Sequence, residues 1–272
     1  MKVVMTVAGS DSGGGAGIQA DLKTFAALRV YGTSAITALT AQNTQGVEGV
    51  HLPPPSFVAE QIDVLFRDME IGAVKTGMLG NEKNVEVVAD ALRRWEVENL
   101  VVDPVMVAKS GDLLLEKGAI SGLIEGLLPL ARVITPNLSE AEVLSGKQIL
   151  DRDGMKEAAA ILHRMGSSYV IVKGGHLPQK NSRDVVVDLL FDGEEYFWSE
   201  MPRVDTANDH GTGCTYGAAI ASYLARDWEI KDAVSAAHSF VNGAMRYSKN
   251  PGKGVGPLHH FYSFYQEWPE DG

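Results

Sequence analysis

Residues 3–26, VVMTVAGSDSGGGAGIQADLKTFA, decide how the chain is read. Val3–Ala8 is an almost unbroken apolar run, the pattern of a strand covered on both faces. Gly9–Gly17 is too rich in glycine to continue it and reads as a turn. Ile18, Leu22, Phe25 and Ala26 then recur at helical spacing. Strand, turn and helix in that order open an α/β unit.

The same alternation continues outward. Thr33–Leu39 reads as a strand. Pro53-Pro54-Pro55 interrupts the chain ahead of a helix with Phe57, Ile62, Leu65 and Phe66 inward. Strand–helix pairs follow at Ile71–Thr76 and Val85–Trp95, Leu100–Asp103 and Ile120–Leu128, and Val133–Thr135 and Leu138–Leu144. Tyr169–Lys173 is a further buried strand. Apolar strands separated by helices predict a mostly parallel sheet with helices on both faces. Val185–Phe191 and Glu194–Trp198 flank Asp192-Gly193, a hairpin signal, and predict an antiparallel edge. Ala-rich helices are expected near Thr212–Arg226 and Lys231–Ser248. With no linker or repeat, one domain spanning 1–272 is expected.

Composition narrows the function. The chain has 272 residues, 45% hydrophobic and 22% charged, with 24 basic against 35 acidic groups and a net charge of −11. That balance disfavours nucleic acid and anionic membranes, which call for a basic footprint. A phosphorylated small molecule remains compatible, because backbone N–H groups, a few lysines and a metal ion suffice to hold it. No apolar run approaches the ~18 residues of a membrane helix. The N-terminal run meets Asp11 without a cleavage-site pattern, so it reads as a first strand. One cysteine excludes an internal disulfide and fits the reducing cytoplasm, the expected location.

Ligands of open α/β sheets bind where loops and helix N-termini meet the carboxyl ends of strands. Gly15-Ala16-Gly17-Ile18-Gln19-Ala20 formally matches a dinucleotide fingerprint. The acidic residue such a site needs is missing from Tyr31–Gln45, so an ordinary turn explains it better. A Walker A loop is absent, since Gly146-Lys147 is followed by Gln148. Asp209–Cys214, DHGTGC, is more distinctive. Gly211, Thr212 and Gly213 would present N–H groups at a helix start, and a thiol there is expected to have its pKa lowered from ~8.5 toward neutrality. A small buried residue behind a helix cap is the plain alternative for Cys214. A cysteine hydrolase using His210 and Asp209 is poorly supported, since sequence neighbours rarely form a triad. Asn137 and Glu140 in PNLSE match an N-x-x-E capping box.

Eight segments together carry a resemblance that covers essentially the whole chain. They are AGSDSGGGAGIQADLKTF (8–25), ALTAQNTQGV (38–47), KTGML (75–79), DPVMVAKSGD (103–112), TPNLSEA (135–141), VKGGH (172–176), HGTGC (210–214) and GKGVGP (252–257). In this order they resemble the ribokinase superfamily and, within it, the hydroxymethylpyrimidine and phosphomethylpyrimidine kinases of thiamine biosynthesis. The resemblance implies a ribokinase-like three-layer sandwich. It implies transfer of the ATP γ-phosphoryl group to an aminopyrimidine alcohol, then a second transfer to the monophosphate.

The resemblance also implies roles. Cys214 stands where most ribokinase relatives have an aspartate base, beside an anion hole of Gly211, Thr212, Gly213 and its own N–H. Gln42 reads the pyrimidine ring, since a carboxamide both donates and accepts. Gly9, Ala16 and Met78 line the acceptor pocket, with Asp21 close by. Lys173 and Asn137 meet the phosphates, and Lys109 sits on a covering loop. Glu140 holds Mg2+ and its water, and Asp103 is another outer-shell metal group or a turn former. ATP and Mg2+ are the implied cofactors, and a homodimer the implied assembly. Pyridoxal kinases of the same scaffold are the nearest alternative. TAQNT and KGGH (173–176) follow the pyrimidine pattern, and some activity on pyridoxine-like rings is expected. A nicotinamide-dependent oxidoreductase lacks its ribose-binding acid. A non-catalytic pyrimidine sensor would not need Cys214, Glu140 and Lys173 together.

Overall fold

The computed structural model describes residues 1–106, 117–175, 177 and 185–265. Strand β1 (Val3–Asp11) leads into helix α1 (Gly17–Ala27), then β2 (Tyr31–Asn43) and β3 (Gly46–His51). Helix α2 (Pro55–Asp68) and β4 (Ile71–Thr76) come next, followed by α3 (Glu82–Arg94), β5 (Leu100–Val102) and α4 (Lys117–Gly122). The chain continues through β6 (Val133–Ile134), α5 (Leu138–Ser145), α6 (Arg152–Arg164) and β7 (Tyr169–Val172). Strands β8 (Val185–Phe191) and β9 (Tyr196–Pro202) precede helices α7 (Thr212–Leu224) and α8 (Ile230–Arg246).

The strands form one sheet in the order β3-β2-β1-β4-β5-β6-β7-β8-β9. Strands β2 through β7 run parallel in that order, while β3, β8 and β9 are antiparallel additions. Period-two alternation sends each strand's side chains to opposite layers. Met5, Val74, Val102, Ile134 and Val172 pack with α2–α6. Val4, Ala73, Val101, Val133 and Ile171 pack with α1, α7 and α8. This is the expected three-layer α/β sandwich. Full burial of one such side chain, Ile62 for example, stabilises the fold by ~1.5–3 kcal/mol.

Local signals set the helix ends. Pro55 occupies the first turn of α2, where its missing N–H costs nothing. Asn81 and Asp151 cap α3 and α6 through their side chains. Three features depart from the sequence reading. Strand β2 is longer and turns into β3, whose exposed residues lack an apolar face and are specified by pairing with β2. Helix α6 was not anticipated. The segment read as a helix over 120–128 instead passes from α4 into a π turn at Leu123–Leu127 and a 3-10 turn at Leu128–Leu130. The edge hairpin forms, but over a four-residue loop. Asp192 Oδ1 accepts from the N–H groups of Glu194 and Glu195, moving the second strand to Tyr196–Pro202.

Candidate active site

Strand β1 pairs in parallel with β2 on one side and β4 on the other, so the loops leaving its carboxyl end open a crevice. A cavity of about 690 Å3 lies there. Its lining includes Gly9, Ala16, Gln42, Met78, Asn137, Glu140, Lys173, Asp103 and Gly211–Cys214, with Gly211 against Gly15 and Ala16 and Gly213 beside Lys173 and Asp103. Thus the structure gathers twelve of the thirteen candidate residues around one space. The other, Lys109, lies outside the described residues.

Cys214 lies where two helices begin. It is the third residue of α7, whose N-cap is Gly211, and the N–H of Gly17, the first residue of α1, is among the groups that favour its thiolate. Both junctions demand glycine. Gly211 has φ +86°, and a Cβ on it would meet the Gly15 carbonyl oxygen at 1.9 Å. Gly17 has φ +55°, and its Cβ would meet the Gly9 oxygen at 2.2 Å. An L side chain is disfavoured at such φ and would clash besides.

Two expectations need correction. Burial pushes the Cys214 thiol up to about 11, rather than down toward neutrality, and the Lys75 charge is the largest opposing influence. Desolvation of the thiolate outweighs the helix termini here. The N–H of Thr212 turns back to the Asp209 carbonyl at 3.3 Å, which removes one donor from the expected anion hole.

The glycine loop after β1 is closed by Asp11. Its Oδ1 accepts from Gly13 N–H (2.8 Å), and its Oδ2 accepts from Gly15 (3.0 Å) and Ala16 (2.9 Å). The same Oδ2 lies 2.9 Å from His210 Nε2, tying the first glycine loop to the second. Burial opposes the carboxylate, but these partners outweigh it and hold Asp11 below its ordinary range. An Nε2–H that donates to Asp11 cannot also accept from Gln42 Nε2, 3.4 Å away. The Gln42 amide group is therefore available to a ligand, while its Oε1 accepts from Thr40 at 3.1 Å.

The capping box read from PNLSE is present. Asn137 Oδ1 accepts from Glu140 N–H, and Glu140 Oε2 accepts from Asn137 N–H. Burial raises the Glu140 carboxyl to about 7, against the pull of Lys173. Lys173 pairs with Asp103 at 3.2 Å, and Thr135 Oγ1 donates to the same Asp103 oxygen at 3.3 Å. Burial works against the Lys173 ammonium, yet Asp103 and Glu140 hold its pKa above the usual lysine value. Among the described residues no three His, Cys, Asp or Glu side chains cluster as a metal cage. A buried carboxylate in the cavity wall nevertheless suits Mg2+, which takes few protein ligands and completes its shell with waters and phosphates.

Sequence reasoning missed Lys75. Its ammonium is fully buried and pairs with Asp21 at 2.9 and 3.1 Å, while Thr6 Oγ1 donates to Asp21 at 2.6 Å. The signal was present in the alternation. On the face covered by α7, Val4 gives way to Thr6, Ala73 to Lys75, Val101 to Asp103, Val133 to Thr135 and Ile171 to Lys173. Two residues beyond each apolar contact, a polar row crosses the sheet beneath α7.

The sequence profile of a family described as Phosphomethylpyrimidine kinase matches residues 11–259. The Hydroxymethylpyrimidine/phosphomethylpyrimidine kinase of Rhizobium meliloti (strain 1021) is 47% identical over 268 residues, 97% of this chain and 99% of that one. The Thiamine biosynthesis bifunctional protein ThiED of Geobacter sulfurreducens is 50% identical over 257 residues, 94% of this chain. The chain spans about half of that protein's length, 52%. Among solved structures, the pyridoxal kinase from Staphylococcus aureus in complex with AMP-PCP and pyridoxal superposes with a TM-score of 0.87 at 35% identity, covering 97% of this chain and 95% of that one.

Proposed function

The chain belongs to the phosphomethylpyrimidine kinase family, and from that premise we propose how its residues phosphorylate hydroxymethylpyrimidine and then its monophosphate with ATP. The observation that carries the reading is Cys214 near the start of α7, lining one cavity together with the Gln42 amide and the Lys173 ammonium.

The pyrimidine lies against Gly9, Ala16 and Met78, with its amine and a ring nitrogen read by Gln42. The ATP phosphates extend toward Lys173 and Asn137. Val186, Val204, Val241 and Met245, interspersed with Asp188, Arg203, His238 and Asn242, add apolar surface with polar edges, which suits a planar base. In the first transfer Cys214 acts in its thiolate form, and the alcohol proton passes to Sγ as the alcohol oxygen bonds to the γ-phosphorus. The bond from that phosphorus to the β–γ bridging oxygen breaks, and ADP leaves. The N–H groups of Gly213 and Cys214 face the charge that develops, without reorganising. In the second transfer the acceptor is a phosphate already ionised near neutrality, so no base is needed.

Glu140 is the residue we assign to Mg2+, which when bound neutralises phosphate charge. Asp103, engaged by Lys173, acts through that lysine. Pairing of two copies and a cytoplasmic location complete the reading; sedimentation velocity and cell fractionation test them. Among the described residues no helix is long and apolar enough to cross a membrane.

The superposition on a pyridoxal kinase favours weaker activity on pyridoxine-like rings. Coupled ATP consumption with hydroxymethylpyrimidine, its monophosphate and pyridoxal tests the assignment. Higher kcat/KM for the pyrimidines supports it, and preference for pyridoxal overturns it.

A further inference from the structure

Beneath the first turns of α7 lies a charge pair that the mechanism above leaves unused. Lys75 and Asp21 have no exposed side-chain surface, and Thr6 fixes the carboxylate from below. A buried ion pair seldom adds stability, because desolvating both charges offsets their attraction, and apolar residues of similar volume often serve as well. Stability alone therefore does not account for it. Its position does. The helix presents bare backbone toward it: a Cβ on Gly217, one turn beyond Cys214, would sit 3.5 Å from Lys75 Cε. Both Lys75 and Cys214 reach the cavity wall.

We propose that Lys75 is a positioning residue for Cys214, supplying the fixed cation on which the sulfur relies when it takes the acceptor's proton, with Asp21 and Thr6 setting where that cation stands. This rests on the reading of Cys214 as the base in the first transfer. The charged groups facing the sulfur from the packed elements are Lys75 of β4, Asp21 of α1 and Asp103 beyond β5, with Lys173 beyond β7 also within its field. Asp21 and Asp103 oppose a thiolate, and Lys75 is the largest favourable charge. Before transfer the sulfur is a thiolate and the proton is on the alcohol. Afterwards it is on sulfur, and no redox change occurs. Lys75 keeps its own proton throughout.

Because Cys214 is the one cysteine of the chain, alkylation by iodoacetamide read at that residue by peptide mass spectrometry reports on its thiol. The test follows the alkylation rate against pH for the full chain, for Lys75→Met/Asp21→Asn and for Lys75→Arg. The double variant removes both charges while keeping a hydrogen-bonding partner for Thr6. Its alkylation midpoint should rise by up to about 1 pH unit, less than the loss of a close buried cation alone would give, because Asp21, which opposes the thiolate, is removed with it. Lys75→Arg should fall between it and the parent. The first phosphoryl transfer, read in single turnovers, should slow by roughly 10- to 1,000-fold in the double variant, with the second much less affected. An unchanged midpoint in a variant that keeps the native circular dichroism spectrum and binds ATP overturns the proposal. If the double variant does not fold, Asp21→Asn carries the test: with Lys75 left in place and an opposing carboxylate gone, a lowered midpoint supports the proposal, and an unchanged one overturns it. A displaced midpoint with an unaltered first transfer would leave Lys75 where we place it and remove Cys214 as base.

Discussion

Asp103 Oδ1 lies 3.2 Å from Lys173 Nζ, joining the carboxyl ends of β5 and β7 across β6. The link places the lysine at the cavity wall while its partner is almost fully buried, 2% exposed in the side chain.

Removing the lysine tests both of its duties. Lys173→Met leaves Asp103 as an uncompensated buried charge, a loss of ~3–5 kcal/mol of stability. It should also raise KM for ATP and lower kcat, by roughly 10- to 1,000-fold in kcat/KM. Urea unfolding and steady-state kinetics measure the two effects separately. Unaltered kinetics with ATP would remove Lys173 from the phosphate site.

Glu140 has two partners to serve, the helix cap and the cation. Glu140→Gln keeps a residue competent for the capping box, so stability should change by less than ~1 kcal/mol. The Mg2+ concentration required for half-maximal activity should rise about tenfold or more, since a neutral amide is a weak substitute for a carboxylate. A stable variant with an unchanged Mg2+ requirement would leave Glu140 as a cap alone.

Asp11 makes the two glycine loops sensitive to acid. Burial opposes its charge, but His210 and the loop N–H groups together depress its pKa below 3.8. A depressed carboxylate contributes stability that is full above its unfolded-state value and is lost as pH falls through the folded one. Asp11→Ala should therefore flatten the stability profile below about pH 4, the ordinary aspartate range, and leave its slope near neutrality unaltered. Thermal melts from acid to neutral pH check this. An identical acid limb in the variant would contradict the assignment.

What was legible in the sequence follows from how strongly each residue is constrained by its neighbours in the chain. The parallel strands announced themselves because they are apolar on both faces. The Asn137–Glu140 cap was visible because its two partners are three residues apart. Strand β3 escaped notice because its pattern has no buried side, and its conformation is set by β2. The thiol's direction of shift was misjudged because local helix termini can be read from sequence while burial cannot. Lys75 was hidden for a related reason: its partner Asp21 is 54 positions away, on another element. The DG signal located the hairpin but misjudged its loop, because the Asp192 side chain caps two further N–H groups.

The most direct test concerns the sulfur itself. Cys214→Ala should be followed by single-turnover transfer from ATP to hydroxymethylpyrimidine and, separately, to its monophosphate. The first transfer should slow by roughly 10²–10⁴-fold, the range for loss of a general base, while the second changes far less. In the unaltered chain the first transfer should quicken as pH rises from neutrality toward the thiol's value of about 11, with the second flat over the same range. Equal losses in both transfers, or a first transfer indifferent to the substitution, would contradict the account.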